Sequence, residues 1–176
     1  MRSDADLMAA VAAGDERALA ELCERHERGL HQFIHRHTGG RDVEDLHQET
    51  WLRVVRAAAR FDRRRRFTTW LFQIAVNLCH DWHRRRPPTP QDPAVADALP
   101  SGTDDTARVD AALDARRLLA ALPAEQRSAV ILRYYHDLPE EEVAEILGCP
   151  RGTVKSRLHH ARARLVALAR GRTSAT

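Results

Sequence analysis

Four carboxylates, Asp42, Glu44, Asp45 and Glu49, crowd around His47, and no other stretch of the 176 residues invites a catalytic reading so readily. Carboxylates beside an imidazole are the ligand types of a two-metal hydrolytic site, as in a metal-dependent nuclease. Such a site needs its ligands to converge on one point. Here they fall consecutively around one helical pattern, so a solvated acidic helix face is the expected outcome. His31 and His35, and likewise Cys79 and His83, stand four apart on a shared helix face, a spacing that can bind zinc. Neither pair is followed by a third and fourth ligand. We therefore expect no metal site, no cofactor and no bond-making chemistry.

The other chemistry on offer suits binding. Between Phe61 and Arg86 the rings of Phe61, Phe67, Trp70, Phe72 and Trp82 are interleaved with the run Arg63 to Arg66 and the trio Arg84 to Arg86. Rings for unstacked bases and cations for the backbone are what single-stranded nucleic acid requires. Most of these rings also match the spacing of an apolar stripe, so most are expected in the core. From Arg151 to Arg172 the chain carries Arg151, Lys155, Arg157, Arg162, Arg164, Arg170 and Arg172 without one acid. A purely basic helix of this kind suits duplex DNA, with short polar side chains at base edges and cations on phosphates.

The elements that must position these residues are all helical. Leu138 to Leu165 reads as two helices joined by a tight turn. Pro139 suits a first helical position, Glu140, Glu141 and Glu142 favour the positive end of the helix dipole, and Gly148 permits a sharp stop. Pro150 then opens the second helix. Val143, Ile146 and Leu147 make one inward stripe and Val154, Leu158, Ala161 and Leu165 the other, leaving Ser156, His159 and His160 outward. An acidic helix, a glycine turn and a basic helix together predict a helix-turn-helix.

Upstream, Leu7, Val11, Leu19, Leu22, Leu30, Phe33 and Ile34 recur at helical steps, with a break at Gly14 and Asp15 and a stop at Gly39 and Gly40. Asp42 is expected to cap the next helix, whose inward stripe is Val43, Leu46, Thr50, Trp51, Val54 and Ala58. Asp45, Gln48, Glu49 and Leu52 then share an outward face. A third helix runs from about Thr68 to Arg86, with Phe67, Trp70, Leu71, Ile74 and Leu78 inward. Pro87, Pro88, Pro90, Pro93 and Pro100 break every period, so 87–106 reads as a flexible linker. Helical pattern resumes over 107–122, and Pro123 opens a further helix. The predicted fold is all-α, with two small helical domains (1–86 and 107–176) and no strand pattern.

Composition agrees: 43% hydrophobic and 30% charged residues, a net charge of +3 and a pI near 9.1, with blocks of arginine alternating with blocks of acid. Such blocks suggest nucleic acid for the basic surfaces and a protein partner for the acidic ones. Cys23, Cys79 and Cys149 are odd in number and widely spaced, which fits a reducing cytosol rather than a disulfide framework. No apolar run approaches the length of a membrane span, and membrane insertion is not expected.

With these residues laid out, the chain resembles the extracytoplasmic-function class of bacterial sigma factors in the sigma-70 family. DVEDLHQETWLRV resembles its core-polymerase-binding helix, FTTWLFQIAVNLCHDWHRRR its promoter-melting and −10-reading helix, and LPEEEVAEILGCPRGTVKSRLHHARARL its −35-reading helix-turn-helix. The resemblance implies that Asp45, Gln48, Glu49 and Leu52 dock on the clamp helices of the largest subunit of core RNA polymerase. It implies that the second domain meets the flap of the second-largest subunit. Asn77 would hold a flipped −10 base, with Trp70, His80, Asp81 and His83 nearby and Arg84 and Arg85 near phosphates. Thr153, Lys155, Ser156, His159 and His160 would face the −35 element of promoter DNA, and Arg151 and Arg157 would anchor its backbone. An anti-sigma partner is also implied. The sequence departs from the family at His47, where an apolar residue is usual, at His160, where Arg is frequent, and in the density of charge at Arg63 to Arg66. An autonomous transcriptional regulator would share the helix-turn-helix, but would leave the aromatic and arginine helix and the acidic face without a role.

Overall fold

The computed structural model describes residues 2–86 and 106–173, with side chains over 113–170 in the second stretch. The first domain is four helices: α1 (Asp4–Ala12), α2 (Glu16–Thr38), α3 (Val43–Ala57) with a 3₁₀ turn at Ala58–Arg60, and α4 (Phe67–Arg85). The second is α5 (Thr106–Ala120), α6 (Ala124–Val130) running into a π-helical turn at Ile131–Tyr135, α7 (Glu140–Leu147) and α8 (Arg151–Thr173). All described elements are helical, as the patterns predicted. Apart from its last residue, the proline-bearing linker at 87–106 lies outside the described residues.

Local chemistry sets the boundaries. Ser3 and Asp15 cap α1 and α2 by accepting backbone N–H bonds with their side chains, which satisfies donors that a helix start leaves orphaned. Gly39, at φ 69°, closes α2, and Gly148, at φ 61°, closes α7; residues with a Cβ rarely adopt this left-handed conformation. Asp42 departs from expectation. It sits at φ 51° and makes no side-chain cap. Its carboxylate instead accepts from Trp82 Nε1 at 2.7 Å and pairs with Arg86, tying the end of α4 to the start of α3. Pro139 is likewise the residue before α7 rather than its first.

The apolar stripes meet as the spacing requires. Leu22, Leu30, Phe33 and Ile34 of α2, Val54 of α3 and Leu71 and Ala75 of α4 are fully or almost fully buried, as are Ile131, Leu132, Val143, Ile146, Val154 and Ala161 in the second domain. Each such large side chain contributes about 1.5–3 kcal/mol over its exposed state. His47 fits less well: half-buried, edge-on to Trp51 at 6.5 Å and to His31 at 6.1 Å, it leaves Nε2 without a partner.

The two domains pack directly on each other. Helix α4 lies against α6 and α7, and α2 against α5, α6 and the π-helical turn. As a result α4 is covered on more than one side: besides Phe67, Leu71 and Leu78, its Phe72, Val76 and Cys79 are buried. The Arg63 to Arg66 run, denser in charge than the family norm, belongs partly to this contact. Arg66 pairs with Glu142 at 2.7 Å and Arg65 with Glu145 at 3.4 Å, while Arg63 binds Asp6 within the first domain at 2.7 Å.

Candidate nucleic-acid interface

Three surfaces carry the candidate residues. On α3, Asp45, Gln48 and Leu52 face solvent, while Glu49 is half-buried. Glu49 is not a free anion: it accepts from Arg53 Nε at 2.9 Å, with Arg56 at 3.9 Å. Val55 extends the face with Leu52, the two being 42% and 44% exposed. Val55 escaped the sequence reading although its three-residue step from Leu52 was visible.

On α4, Asn77 is exposed and Trp70 half-buried, its ring 5.0 Å from that of Phe61. Trp70 and Ile74 form the floor of a shallow open groove whose rim is Arg53, Arg56 and Arg60. Asn77 continues the same helical face, since 70, 74 and 77 stand at four- and three-residue steps. A ring floor, a cationic rim and an adjacent amide suit a single strand whose backbone follows the arginines. Sequence reasoning missed the rim, although positions 53, 56 and 60 repeat at helical spacing.

His80 and His83 are placed differently from the −10-facing positions expected. Both turn into the seam between the domains. His80 Nε2 lies 2.9 Å from Ser128 Oγ, and Arg127 donates to His83 Nε2 at 2.9 Å. The physical reason is that α6 covers the side of α4 that the helical pattern alone left open. Asp81 pairs with Arg84 one turn on, and Arg84 and Arg85 are exposed. Burial, and next the Arg127 guanidinium, push His83 down to about 4. Burial also pulls Arg127 down to about 10 and raises the Cys79 thiol to about 12, which leaves Cys79 a poor nucleophile.

On α8, Lys155, Ser156, His159 and His160 point into solvent opposite buried Val154, Leu158 and Ala161. Thr153 is half-buried. Arg151 is engaged by Glu140 at 3.2 Å and Glu141 at 2.5 Å, and Arg157 by Glu125 at 2.9 Å. The two arginines expected on phosphates thus have carboxylate partners of their own, which DNA phosphates would have to displace. Among the described residues, no group of three His, Cys, Asp or Glu is arranged to hold a metal ion, and no helix is long and apolar enough to cross a membrane.

Comparison with known proteins accounts for both halves. Residues 22–87 match the family described as Sigma-70 region 2, and residues 112–165 the family described as Sigma-70, region 4. The ECF RNA polymerase sigma factor SigM of Mycobacterium tuberculosis is 39% identical over 168 residues, covering 95% of this chain and 85% of that one. SigW of Bacillus subtilis is 31% identical, covering 86% and 89%. Among solved structures, CnrH in complex with the cytosolic domain of CnrY superposes with a TM-score of 0.74 at 30% identity, covering 97% of this chain and 99% of that one. Sigma factor RpoE bound to the anti-sigma factor NepR from Bartonella quintana gives 0.70 at 26% identity, covering 86% and 96%. With sigma-70 signatures in both domains and 39% identity to such a factor over 95% of its own length, the chain belongs to the extracytoplasmic-function class of RNA polymerase sigma factors.

Proposed function

We propose the following division of labour within this transcription initiation factor. Asp45, Gln48, Glu49 and Leu52, extended by Val55, dock on the clamp helices of core RNA polymerase. The second domain meets the flap of the second-largest subunit. Helix α8 fixes register on duplex DNA at the −35 element through Lys155, Ser156, His159 and His160. Asn77 then holds an unstacked −10 base while the strand follows the groove of Trp70, Arg53, Arg56 and Arg60.

The energetics require all these surfaces at once. Unstacking costs a few kcal/mol per step, and one base on a ring returns about 1–3 kcal/mol. Contacts along the backbone and with polymerase supply the remainder. The chain itself performs no bond-making chemistry, acts in the cytoplasm and needs no cofactor. The solved complexes of CnrH with CnrY and RpoE with NepR support an anti-sigma partner here as well.

The observation that carries this reading is the coexistence of an exposed apolar and acidic face on α3 with a solvent-facing polar and basic face on α8. The test is in vitro transcription with core polymerase on genomic DNA from the source. Initiation should move to a defined set of sites sharing −35 and −10 elements. If the protein binds core enzyme without redirecting initiation, or never binds it, the reading is wrong.

A further inference from the structure

The seam between the domains is built from ionisable groups rather than from apolar surface alone. His37, at the end of α2, is wholly buried, with Nε2 2.8 Å from Ser128 Oγ of α6. His83 Nε2 lies 3.2 Å from His37 Nδ1, and Arg127 reaches between them. The Arg127 guanidinium donates to the carbonyls of His37 at 2.5 Å, Ala120 at 2.9 Å and Leu122 at 2.9 Å, as well as to His83. The same Nε2 stands 3.1 Å from the His37 carbonyl oxygen, but a guanidinium can only donate, so a proton on that nitrogen would meet the Arg127 cation 2.9 Å away.

On the other side of the seam His136 sits between two rings of the first domain, 4.9 Å from Phe72 and 6.1 Å from Phe33, with Nε2 buried and unpartnered. It too is accommodated only as a neutral ring.

We propose that this seam is a proton-operated latch: with His37, His80, His83 and His136 uncharged the two domains hold each other closed, and protonation of the rings parts them. The charges that face the cluster favour this direction. From α6 come Arg127 and the single acid Glu125; from α4, Arg84 and the neutral Cys79. Arg41 lies beside His83, and Arg157 of α8 beside His80. His136 faces Arg36 of α2 and Asp137 of its own loop. With Asp81, which pairs with Arg84, three carboxylates stand against five guanidiniums, so a proton added to the cluster meets more like charge than opposite charge in a partly desolvated place.

Burial lowers all four rings, His83 and His136 to about 4. A ring with a lower pKa in the closed form takes up a proton on opening. Closure is therefore at full strength above about pH 6.5 and fades as pH falls toward about 4. Between pH 7.5 and 5 this raises the open-to-closed ratio by about thirtyfold for His83 alone, and by a similar factor for His136.

Opening bears on the proposed function, and this consequence rests on that reading. A closed chain of this length is about 40 Å across, whereas elements at −35 and −10 lie about 85 Å apart at 3.4 Å per base pair. Only the parted form spans them.

The test is small-angle X-ray scattering of the full chain from pH 7.5 to 5.0, with circular dichroism in parallel. The expected result is a radius of gyration that grows as pH falls below about 6.5 while helicity stays constant. H83Q retains an acceptor for Arg127 and H136F fills the site between Phe33 and Phe72. Each should flatten the response by about one proton, and the double variant by about two, leaving only the part carried by His37 and His80. H136F alone decides the matter if H83Q does not fold. An unchanged radius, an expansion that accompanies loss of helix, or a double variant that opens as the wild type does would each overturn the latch. None of these readouts involves polymerase or DNA, so failure here is distinct from failure of the functional reading.

Discussion

Glu142 offers a direct measure of how strongly the domains hold each other. Its side chain, 9% exposed, accepts from Arg66 at 2.7 Å and from the hydroxyl of Thr69 at 3.2 Å, both on the opposite domain. Arg66 is 71% exposed, so the ion pair is screened and contributes no more than about 0.5–1 kcal/mol. Thr69 is 1% exposed, and E142A would leave its hydroxyl buried without this partner, costing about 1–1.5 kcal/mol. In the parted form water solvates both groups, so the whole loss falls on closure. The sum, about 2 kcal/mol, changes the closed-to-open ratio about thirtyfold. E142Q keeps an acceptor for Thr69 and loses only the charge, so it should recover roughly half of that free energy. The assay is intramolecular energy transfer between dyes on the two domains at pH 7.5 and 0.15 M salt, with thermal unfolding followed in parallel. A ratio that moves less than about threefold in E142A, or a loss of α7 helicity in place of domain parting, would refute the reasoning.

Three further outcomes follow from the exposed faces. D45R reverses charge on the solvent-facing side of α3 without touching buried Leu46 or Val43, so affinity for core polymerase should fall about tenfold or more with helicity unchanged; unaltered affinity would remove this face from the interface. N77A should impair open-complex formation more than polymerase binding, since Asn77 is exposed on α4, away from the α3 face; equal losses in promoter opening and in core binding would exclude base capture. Replacing Lys155 by Ala should weaken −35 binding and reduce the slope of log affinity against log salt by about one, the counterion effect of one lost cation. An unchanged slope would place Lys155 away from DNA.

Much of this protein is legible in its residue spacing because the interactions concerned are local. The stripe from Val43 to Ala58 and the pair Val143 and Ile146 point inward because a helix repeats every 3.6 residues. The turn at Gly148 follows from its backbone freedom, and the open positions Asp45, Gln48, Leu52, Lys155, Ser156, His159 and His160 are what remains when the stripes are buried. Asp42 marks the limit of that reasoning. Its capping role was the local expectation, and a contact with Trp82, forty residues away, displaced it.

The seam lies wholly beyond that limit. Periodicity shows that α4 has apolar residues on several sides, but not what covers Phe72, Val76 and Cys79. It cannot tell that His37 meets Ser128, 91 positions on, or that Glu142 answers Arg66. Residue type and spacing decided which segments coil and which faces stay wet. Which domain face meets which, and therefore which histidines lose their water, depends on pairings between distant segments, and only the folded structure fixes these.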